Sequence, residues 1–331
     1  MLNNIRKRID SFRVNLKYAF RINKPMLILR LMCNFLSIIF LNKRLLRYVD
    51  FAIGYKCNLH CEHCFATSLI EKGREAVTPM QYARIAREAM RMGALNFSFQ
   101  GGEPLLYPEL KEHIRAVGPW RNLISVTTNG TLLTDEKLME LKRWGVDILT
   151  ISLDSGIPEE HDSFRGMEGS FLKIYEGIKR ALLHRINVTI GAVVTHQNLK
   201  SEGIKKLIEI SSDLKVILML ILAVPVGRWK DKEDVLLGKD DLGYLEGLVS
   251  ENLYVRYDFY ANYFKRGCGA VKEIFYLNPY GDVFACPFIH KKLGNALTEP
   301  LADIRERALK DENFKYYHQT CVATLKEVYG G

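Results

Sequence analysis

Segments typical of β-strands alternate with segments typical of amphipathic helices from residue 51 onward. Six such βα units in succession predict a parallel sheet or partial (β/α)6 barrel with right-handed crossovers. Ligands bind beyond the carboxyl ends of the strands in such folds, so functional residues are expected in the loops that follow each strand. The predicted strands are 51–55, 95–100, 122–127, 147–153, 187–194 and 215–223, and the predicted helices are 78–92, 109–116, 135–144, 170–184 and 199–211.

The alternation stops after residue 225, where Gly, Asp and Pro become frequent and three cysteines occur. We therefore expect three parts: a helical extension over 1–48, an α/β core over 49–225 and a smaller domain over 226–331. A length of 331 residues allows one large or two modest domains. With 48% hydrophobic and 26% charged residues, the composition excludes a disordered tail, a collagen-like fibre and a polytopic membrane protein.

The net charge of +9 is concentrated at the N-terminus. Residues 1–50 contain 11 of the 47 basic residues and two of the 38 acidic ones, so the remaining 281 residues hold 36 of each. Residues 5–20 carry one apolar helical stripe, which Pro25 terminates. The stripe consists of Ile5, Ile9, Phe12, Leu16 and Phe20.

A second predicted helix over 26–47 has a wide apolar face and a narrow polar stripe. Its apolar run of 16 residues, 26–41, is shorter than the roughly 20 that a membrane span needs. Two interpretations stay open: a helix that lies on an anionic membrane surface, or an ordinary cap that packs on the barrel. The polar stripe consists of Arg30, Asn34, Ser37 and Arg44.

Three of the seven cysteines form a C-x₃-C-x₂-C loop after the first predicted strand: Cys57, Cys61 and Cys64. Clustered cysteines without a signal peptide indicate metal binding in a reducing cytoplasm. Three thiolates can hold three irons of a [4Fe–4S] cluster and leave the fourth iron open. A structural zinc site is the alternative, with His60 or His63 as a fourth ligand.

This loop, placed after the first strand of a βα barrel, resembles the signature of radical S-adenosylmethionine (SAM) enzymes. The resemblance implies that the open iron chelates SAM and that one electron cleaves SAM to a 5′-deoxyadenosyl radical, which abstracts hydrogen from substrate. It also implies an electron donor such as flavodoxin or ferredoxin. The residue before the third cysteine packs near the adenine in that family, and here it is His63.

Residues after the second and third strands extend the resemblance. The segment QGGEPLL contains Gly101, Gly102 and Glu103, and it resembles the motif that receives the SAM ammonium. Its glycines allow close backbone approach to a ligand. The segment TTNGTLLT contains Asn129 in a turn sequence that resembles the segment shaping the SAM pocket.

Two further polar groups follow the fourth strand. Ser152 and Asp154 are expected on one side of the strand, where they would suit ribose hydroxyls or simply cap the strand. The stretch from His161 to Phe171 resembles a loop of the peptide-modifying branch of the family. Its Arg165 would pair with the SAM carboxylate, because a guanidinium suits that geometry.

The C-terminal cysteines are Cys268, Cys286 and Cys321. The first two enclose a hairpin turn at Gly281 and resemble the opening of the SPASM/Twitch extension, which carries auxiliary iron–sulfur clusters. Three cysteines suffice for one auxiliary Fe–S cluster at most. Its fourth ligand is either a non-cysteine such as His318 or an exogenous group on an open iron. Cys33, in the apolar helix, is predicted to pack rather than bind metal.

The sequence therefore predicts a radical SAM oxidoreductase with SAM and a [4Fe–4S] cluster. The substrate is a small molecule, a peptide or a lipid-linked compound, and no single catalytic side chain is indicated. The alternative is a non-catalytic zinc- or nucleic-acid-binding protein. Nucleic acid is not expected as a partner, because residues 51–331 are electrically balanced. The expected location is the cytoplasm, with peripheral attachment to the cytoplasmic membrane face as one possibility.

Overall fold

The computed structural model describes residues 10–11, 13–14, 16–18, 21, 23–260 and 266–329. Most of the first predicted helical stripe (Ile5, Ile9, Phe12 and Phe20) lies outside the described residues. Leu16 is described, and its side chain is exposed.

All described strands belong to one ten-stranded sheet with the order β10-β9-β8-β1-β2-β3-β4-β5-β6-β7. Strands β1 to β7 are mutually parallel, and β8 pairs parallel to β1. The predicted α/β class with a parallel sheet is confirmed. The strands are β1 Tyr48–Ala52, β2 Asn96–Gln100, β3 Leu123–Thr128, β4 Ile148–Ser152, β5 Asn187–Val194, β6 Ile217–Leu222, β7 Val255–Tyr257, β8 Ile274–Leu277, β9 Asp282–Phe284 and β10 Gly294–Asn295.

Helices connect the parallel strands and cover the sheet. Side-chain caps begin several of them, and Thr78 forms a capping box with Gln81 at the start of α2. The helices are α1 Pro25–Leu41, α2 Pro79–Arg91, α3 Leu110–Ala116, α4 Asp135–Trp144, α5 Pro158–Arg165, α6 Ser170–Leu183, α7 Glu202–Leu214, α8 Lys239–Glu251, α9 Leu301–Ala308, α10 Glu312–Lys315 and α11 Lys326–Tyr329.

Two elements differ from the sequence prediction. Strand β1 ends at Ala52 rather than 55, because Gly54 leaves the sheet and packs its carbonyl against the loop after β2. Helix α5 occupies residues that were predicted to be a loop. Pro158 at its first turn favours the helix start, and Gly166, with φ +69°, terminates it.

The C-terminal part of the chain does not form a separate sheet. Strand β7 extends the core sheet beyond β6, while the β8–β9 hairpin is added beside β1. Gly281, with φ +82°, makes the predicted hairpin turn. Residues 226–329 therefore contribute strands to both sides of the sheet that residues 48–222 begin.

Aromatic side chains dominate the core around β1. The Phe51 ring lies 6.0 Å from both Phe97 and Phe99 on β2. Tyr82 of α2 is fully buried, and its hydroxyl donates to the Ala52 carbonyl at 3.0 Å. Burial of an aromatic side chain stabilises the fold by about 1.5–3 kcal/mol. Phe51 and Tyr82 thus fix the end of β1, from which the cysteine loop departs.

Helix α1 crosses the opposite edge of the sheet, where the parallel strands begin. Arg30 donates to the Ala94 carbonyl just before β2 at 2.7 Å, and Asn34 donates to the Gly93 carbonyl at 2.7 Å. Cys33 is exposed rather than packed as predicted. None of the helices in the described part of the chain has both the length and the apolarity needed to cross a membrane.

A buried ion pair fastens the extension to the core. The Lys24 ammonium and the Asp147 carboxylate are both buried and in direct contact. Asp147 also accepts from the Ile124 amide at 2.8 Å, and Arg21 lies 3.4 Å away.

We expect Lys24→Ala to lower the free energy of unfolding by about 2–3 kcal/mol, because a buried carboxylate loses its closest cation. Arg21 remains near Asp147, so the loss of stability is smaller than it would be for a buried carboxylate without any cation. Urea denaturation measures the change. Lys43→Ala, on an exposed lysine of the same extension, is the control and should stay within about 0.5 kcal/mol of the native protein. Equal stability of the two variants would contradict the assigned role of the pair.

Candidate functional site

The predicted site residues of the core gather at the carboxyl edge of the parallel sheet. The cysteine loop follows β1, residues 101–103 follow β2, Asn129 follows β3 and Asp154 follows β4. Parallel strands bring these loops to one edge, as the strand–helix alternation predicted.

The two glycines after β2 pack against the backbone that leads into the cysteine loop. A Cβ on Gly101 would lie 2.2 Å from the Gly54 carbonyl oxygen, and one on Gly102 would lie 2.3 Å from the Lys56 carbonyl oxygen. Gly102 and Glu103 donate backbone N–H bonds to these carbonyls at 2.8 and 2.9 Å. The close approach expected for a ligand is thus made, in this structure, to the protein's own backbone.

Glu103 is fully buried beneath this contact. Its Oε1 accepts from Leu105 N at 2.9 Å and from the Thr128 hydroxyl at 2.8 Å, while Oε2 accepts from Asn129 N at 2.7 Å. Burial raises the pKa of Glu103 to about 7, against the opposing effect of these hydrogen bonds. The carboxylate therefore ties the loops after β2 and β3 together, and Oε2 accepts a single hydrogen bond from the described residues.

Asn129 connects the loop after β3 to the first cysteine. Its Nδ2 donates to the Asn58 side-chain oxygen at 2.8 Å and points toward Cys57 Sγ at 4.0 Å. Its Oδ1 accepts from both the amide and the hydroxyl of Thr131. The Asn-Gly turn predicted here exists, with Gly130 at φ +79°.

Arg165 and Asp154 pair with each other instead of facing a ligand separately. Arg165 Nε lies 2.5 Å from Asp154 Oδ2, and Arg165 Nη1 donates to Cys61 Sγ at 3.6 Å. Both side chains are buried. Burial opposes ionisation of Asp154, but the Arg165 guanidinium outweighs it and holds the pKa of Asp154 below its usual value. In this structure the two side chains form an internal ion pair, and the roles predicted for Arg165 toward a SAM carboxylate and for Asp154 toward ribose stay predictions.

His63 sits in an aromatic cluster beside the third cysteine. Its ring stacks on Phe164 at 4.6 Å and lies 5.7 Å from Trp229. Burial lowers the pKa of His63 to about 3, so the ring is neutral at physiological pH. Its Nδ1 is buried without a partner among the described residues. A flat apolar stack with one unsatisfied nitrogen fits the heteroaromatic ring of a ligand.

The predicted site residue Ser152 is half-buried at the end of β4.

The sequence analysis missed residues after β6 that cradle the cysteine loop. Arg228 donates to the His60 carbonyl at 2.8 Å and to the Cys61 carbonyl at 3.3 Å. Gly227, with φ +64°, lies so close that a Cβ would be 2.2 Å from the Cys64 carbonyl oxygen. The V-G-R-W segment directly follows a predicted strand, which was the available signal. From the other side, the Tyr107 hydroxyl accepts from Lys56 N at 2.6 Å.

The three thiols of the loop fit the ligand set of an iron–sulfur cluster. Cys57 receives Leu59 N–H at 3.5 Å, Cys61 receives the Arg165 guanidinium, and Cys64 receives backbone N–H groups of its own loop. Such N–H donors stabilise thiolates bound to iron. Burial raises the pKa of Cys57 and Cys64, so cationic metal is needed to hold them ionised at neutral pH.

No three His, Cys, Asp or Glu side chains surround a single-ion position in the part of the chain that the structure describes. A [4Fe–4S] cluster does not require such convergence, because each thiolate binds a different iron atom at its own corner.

The C-terminal cysteines come together although up to 53 residues separate them in sequence. Burial raises the pKa of Cys286 and Cys321, and the neighbouring Cys268 thiol acts in the same direction on both. The Asp258 carboxylate, which follows β7, also acts on both thiols. A fully buried lysine, Lys272, lies close enough for Cys268 to affect its pKa, which burial lowers to about 8.

His318 contributes its backbone rather than its ring to this cluster. Its carbonyl accepts from Cys268 N at 2.8 Å, while its Nε2 pairs with the Glu312 carbonyl at 3.1 Å. The imidazole predicted as a possible fourth ligand is thus turned toward helix α10 by that hydrogen bond.

Comparison with known proteins agrees with this arrangement. Residues 51–208 match the model of the radical SAM superfamily. The chain carries a radical SAM domain. Such a domain implies a [4Fe–4S] cluster with SAM, and the loop geometry above is compatible with that group. Cys57, Cys61, Cys64, Gly101, Gly102 and Glu103 all lie within the matched range.

Relatives of this chain are enzymes of several kinds. An AdoMet-dependent heme synthase from Methanosarcina barkeri is 25% identical over 290 residues, covering 79% of this chain and 82% of that protein. AlbA of Bacillus subtilis, an antilisterial bacteriocin subtilosin biosynthesis protein, is 35% identical over 153 residues. That match covers 46% of this chain and only 34% of AlbA.

Solved structures share this fold. Streptococcus suis SuiB, bound to the precursor peptide SuiA, superposes with a TM-score of 0.63 and 18% identity, covering 84% of this chain and 68% of SuiB. Since the match covers more than residues 51–208, the shared fold includes strands beyond the family model.

We expect Gly102→Ala to lower the free energy of unfolding by about 2 kcal/mol or more, because the added methyl would collide with the Lys56 backbone. Thermal melting followed by circular dichroism measures this. The matched control is Gly243→Ala inside α8, where a Cβ meets nothing within 4 Å, and it should leave the melting temperature equal or higher. A Gly102→Ala protein as stable as the control would refute the close-packing role.

Proposed function

We propose that the protein is a radical SAM enzyme in which Cys57, Cys61 and Cys64 bind a [4Fe–4S] cluster. The observation that carries the proposal is the set of N–H donors directed at the thiols from separate elements, including Asn129 after β3 and Arg165 of α5. Cysteines in a surface loop that bound no metal would not be expected to receive hydrogen-bond donors from several separate elements. When bound, the cluster supplies one electron that cleaves SAM to a 5′-deoxyadenosyl radical for hydrogen abstraction.

We assign the residues around the loop the following roles. His63 and Phe164 form the stack that receives the adenine, where the unpartnered His63 Nδ1 accepts or donates one hydrogen bond. Glu103 Oε2 offers an acceptor for the SAM ammonium. Arg165 donates to Cys61 Sγ and is itself oriented by Asp154. Gly101, Gly102, Asn129 and Ser152 shape the pocket wall at the same edge of the sheet.

Cys268, Cys286 and Cys321 are proposed to bind one auxiliary Fe–S cluster in a SPASM/Twitch-like region. We therefore propose an oxidoreductase reaction, because an auxiliary cluster can accept an electron from a substrate radical. The reducing electron for SAM cleavage would come from a flavodoxin or ferredoxin. The relatives include a heme synthase and a bacteriocin maturation protein, so small molecules and peptides are both substrate classes to test.

Anaerobic reconstitution with iron and sulfide tests the first cluster. We expect Cys61→Ala to lose about half of the bound iron and all dithionite-dependent formation of 5′-deoxyadenosine from SAM. Cys286→Ala should lose iron from the other site and retain SAM cleavage. Cys33→Ala, which changes an exposed cysteine on α1, is the matched control and should keep both properties. Stable zinc binding without SAM cleavage by the native protein would overturn the proposal.

We also propose Asp258 as the fourth ligand of the auxiliary cluster. It follows β7 directly, its carboxylate accepts from Leu222 N at 3.4 Å and from the backbone N–H groups of residues 258 and 259, and its charge raises the pKa of the thiols of both Cys286 and Cys321. A carboxylate oxygen can occupy the site left over by three cysteines, so the open-iron alternative is not required. Lys272 provides a buried positive charge next to Cys268 that offsets part of the anionic charge.

A background that lacks Cys57, Cys61 and Cys64 isolates this auxiliary centre. In that background we expect Asp258→Ala to change the electron paramagnetic resonance signal of the reduced cluster and to lower iron retention during gel filtration. Asp258→Cys should restore iron retention, because a thiolate replaces the carboxylate. Identical spectra and iron content in Asp258→Ala and its parent would show that Asp258 is not a ligand.

The basic extension supports one further proposal, which concerns location. We propose that the protein works in the cytoplasm, attached peripherally to a membrane through its N-terminal residues. The support is the concentration of the charge excess in residues 1–50.

A further inference from the structure

Helix α1 packs against the rest of the protein with its polar side facing inward. Leu27, Arg30, Asn34 and Ile38 recur every three or four residues, and this face lies against the edge of the sheet where the strands begin. The Arg30 side chain donates to backbone carbonyls in two loops, one before β2 and one before β3. Arg30 and Asn34 of the polar stripe therefore lie on the attachment face together with the buried Leu27 and Ile38, whereas Arg44 lies beyond the helix and is exposed.

The apolar side of α1 consequently points away from the protein. The exposed fraction is 57% for Met32, 61% for Ile39 and 76% for Phe40. Surface helices normally bury their apolar face, and soluble proteins rarely expose contiguous apolar patches of this kind without a binding role. We call this face the α1 patch. Its members are Met26, Leu29, Met32, Leu36, Ile39, Phe40 and Leu41.

Exposed basic residues lie at the same edge of the sheet as the α1 patch, in the last turns of three helices and just after α1. Helices that return from the carboxyl edge end at this edge, and cations are favoured in their last turns by the helix dipole. Exposed basic residues therefore collect here, although residues 51–331 are balanced overall. They are Arg91 of α2, Arg115 of α3, Lys142 and Arg143 of α4, with Lys43 and Arg44 just after α1.

An exposed aromatic residue lies at the same edge. Trp120 is 58% exposed, and the Arg121 guanidinium lies 5.2 Å from its ring centroid. The Arg121 carbonyl in turn accepts from Arg30 of α1 at 3.1 Å. Tryptophan beside basic residues is typical of the membrane–water interface.

We propose that the α1 patch and its basic rim bind the surface of an anionic lipid bilayer, with α1 parallel to the membrane plane. A second copy of the chain is a poor occupant, because pairing two patches would bring two basic rims together. An anionic lipid surface receives the apolar side chains between its headgroups and neutralises the rim at the same time.

This mode of binding sets the orientation of the enzyme. The cysteine loop lies at the opposite edge of the sheet, and strands of five residues separate the two edges by about 17 Å. The carboxyl edge therefore faces the aqueous phase. If the proposed radical SAM activity holds, the substrate arrives from solution, as a soluble molecule or peptide, rather than from within the membrane that holds the protein.

Vesicle flotation of the full-length protein tests the attachment. We expect binding to vesicles of phosphatidylcholine with phosphatidylglycerol, little binding to phosphatidylcholine alone, and weakening at high salt. Ile39→Gln with Phe40→Gln should lower partitioning by about tenfold or more. Leu172→Gln is the control, because Leu172 is 63% exposed but lies in the first turn of α6, at the carboxyl edge. Equal loss in the control, or no binding by the native protein, would overturn the proposal.

Quenching by brominated lipids tests the orientation without reference to activity. A variant that retains only Trp120 should be quenched on anionic vesicles, whereas one that retains only Trp229, beside the cysteine loop, should not. Quenching of Trp229 alone would reverse the orientation. Light scattering without lipid completes the test: a stable dimer that the Ile39→Gln/Phe40→Gln variant dissociates would make the α1 patch a self-association surface instead.

Discussion

The contact between two backbone segments holds the functional edge of this protein together. Residues 54–56 leave β1 and lie directly on the glycines that follow β2, with two backbone hydrogen bonds and no space for a side chain. Below this contact, the buried Glu103 carboxylate joins the same loop to the turn after β3. The position of Cys57 therefore depends on β1, β2 and β3, because the segments that follow these three strands pack on one another.

The parallel sheet gives the molecule two chemically different edges. At the carboxyl edge, loops bring cysteines, a buried ion pair and an aromatic stack together around the proposed cluster. At the other edge, helix C-termini place basic residues around α1, whose polar stripe is used for attachment to the core. The same strand direction thus separates the proposed catalytic chemistry from the proposed membrane contact.

Much of the core was predictable because its patterns are local. The period of the apolar residues located β2 to β6 to within a few residues, and the position of each motif after a strand placed it at the correct edge. Helix α5 was missed because the resemblance favoured a loop. The partners of Arg165 were also missed: Asp154 lies 11 residues away and Cys61 lies 104 residues away, so no local pattern relates them. Asp258 carried no recognisable signal for the same reason, and Arg228 was marked only by its place after a predicted strand.

The amino-acid sequence by itself determined the α/β class, the cysteine spacing and the location of the positive charge in the first 50 residues. These properties depend on residue order alone. Only the tertiary structure decided which polar groups form hydrogen bonds and ion pairs with one another. It turned the polar stripe of α1 inward, because buried carbonyls at the starts of β2 and β3 need donors that Arg30 and Asn34 supply. It also paired Arg165 with Asp154, since a buried guanidinium requires a nearby anion.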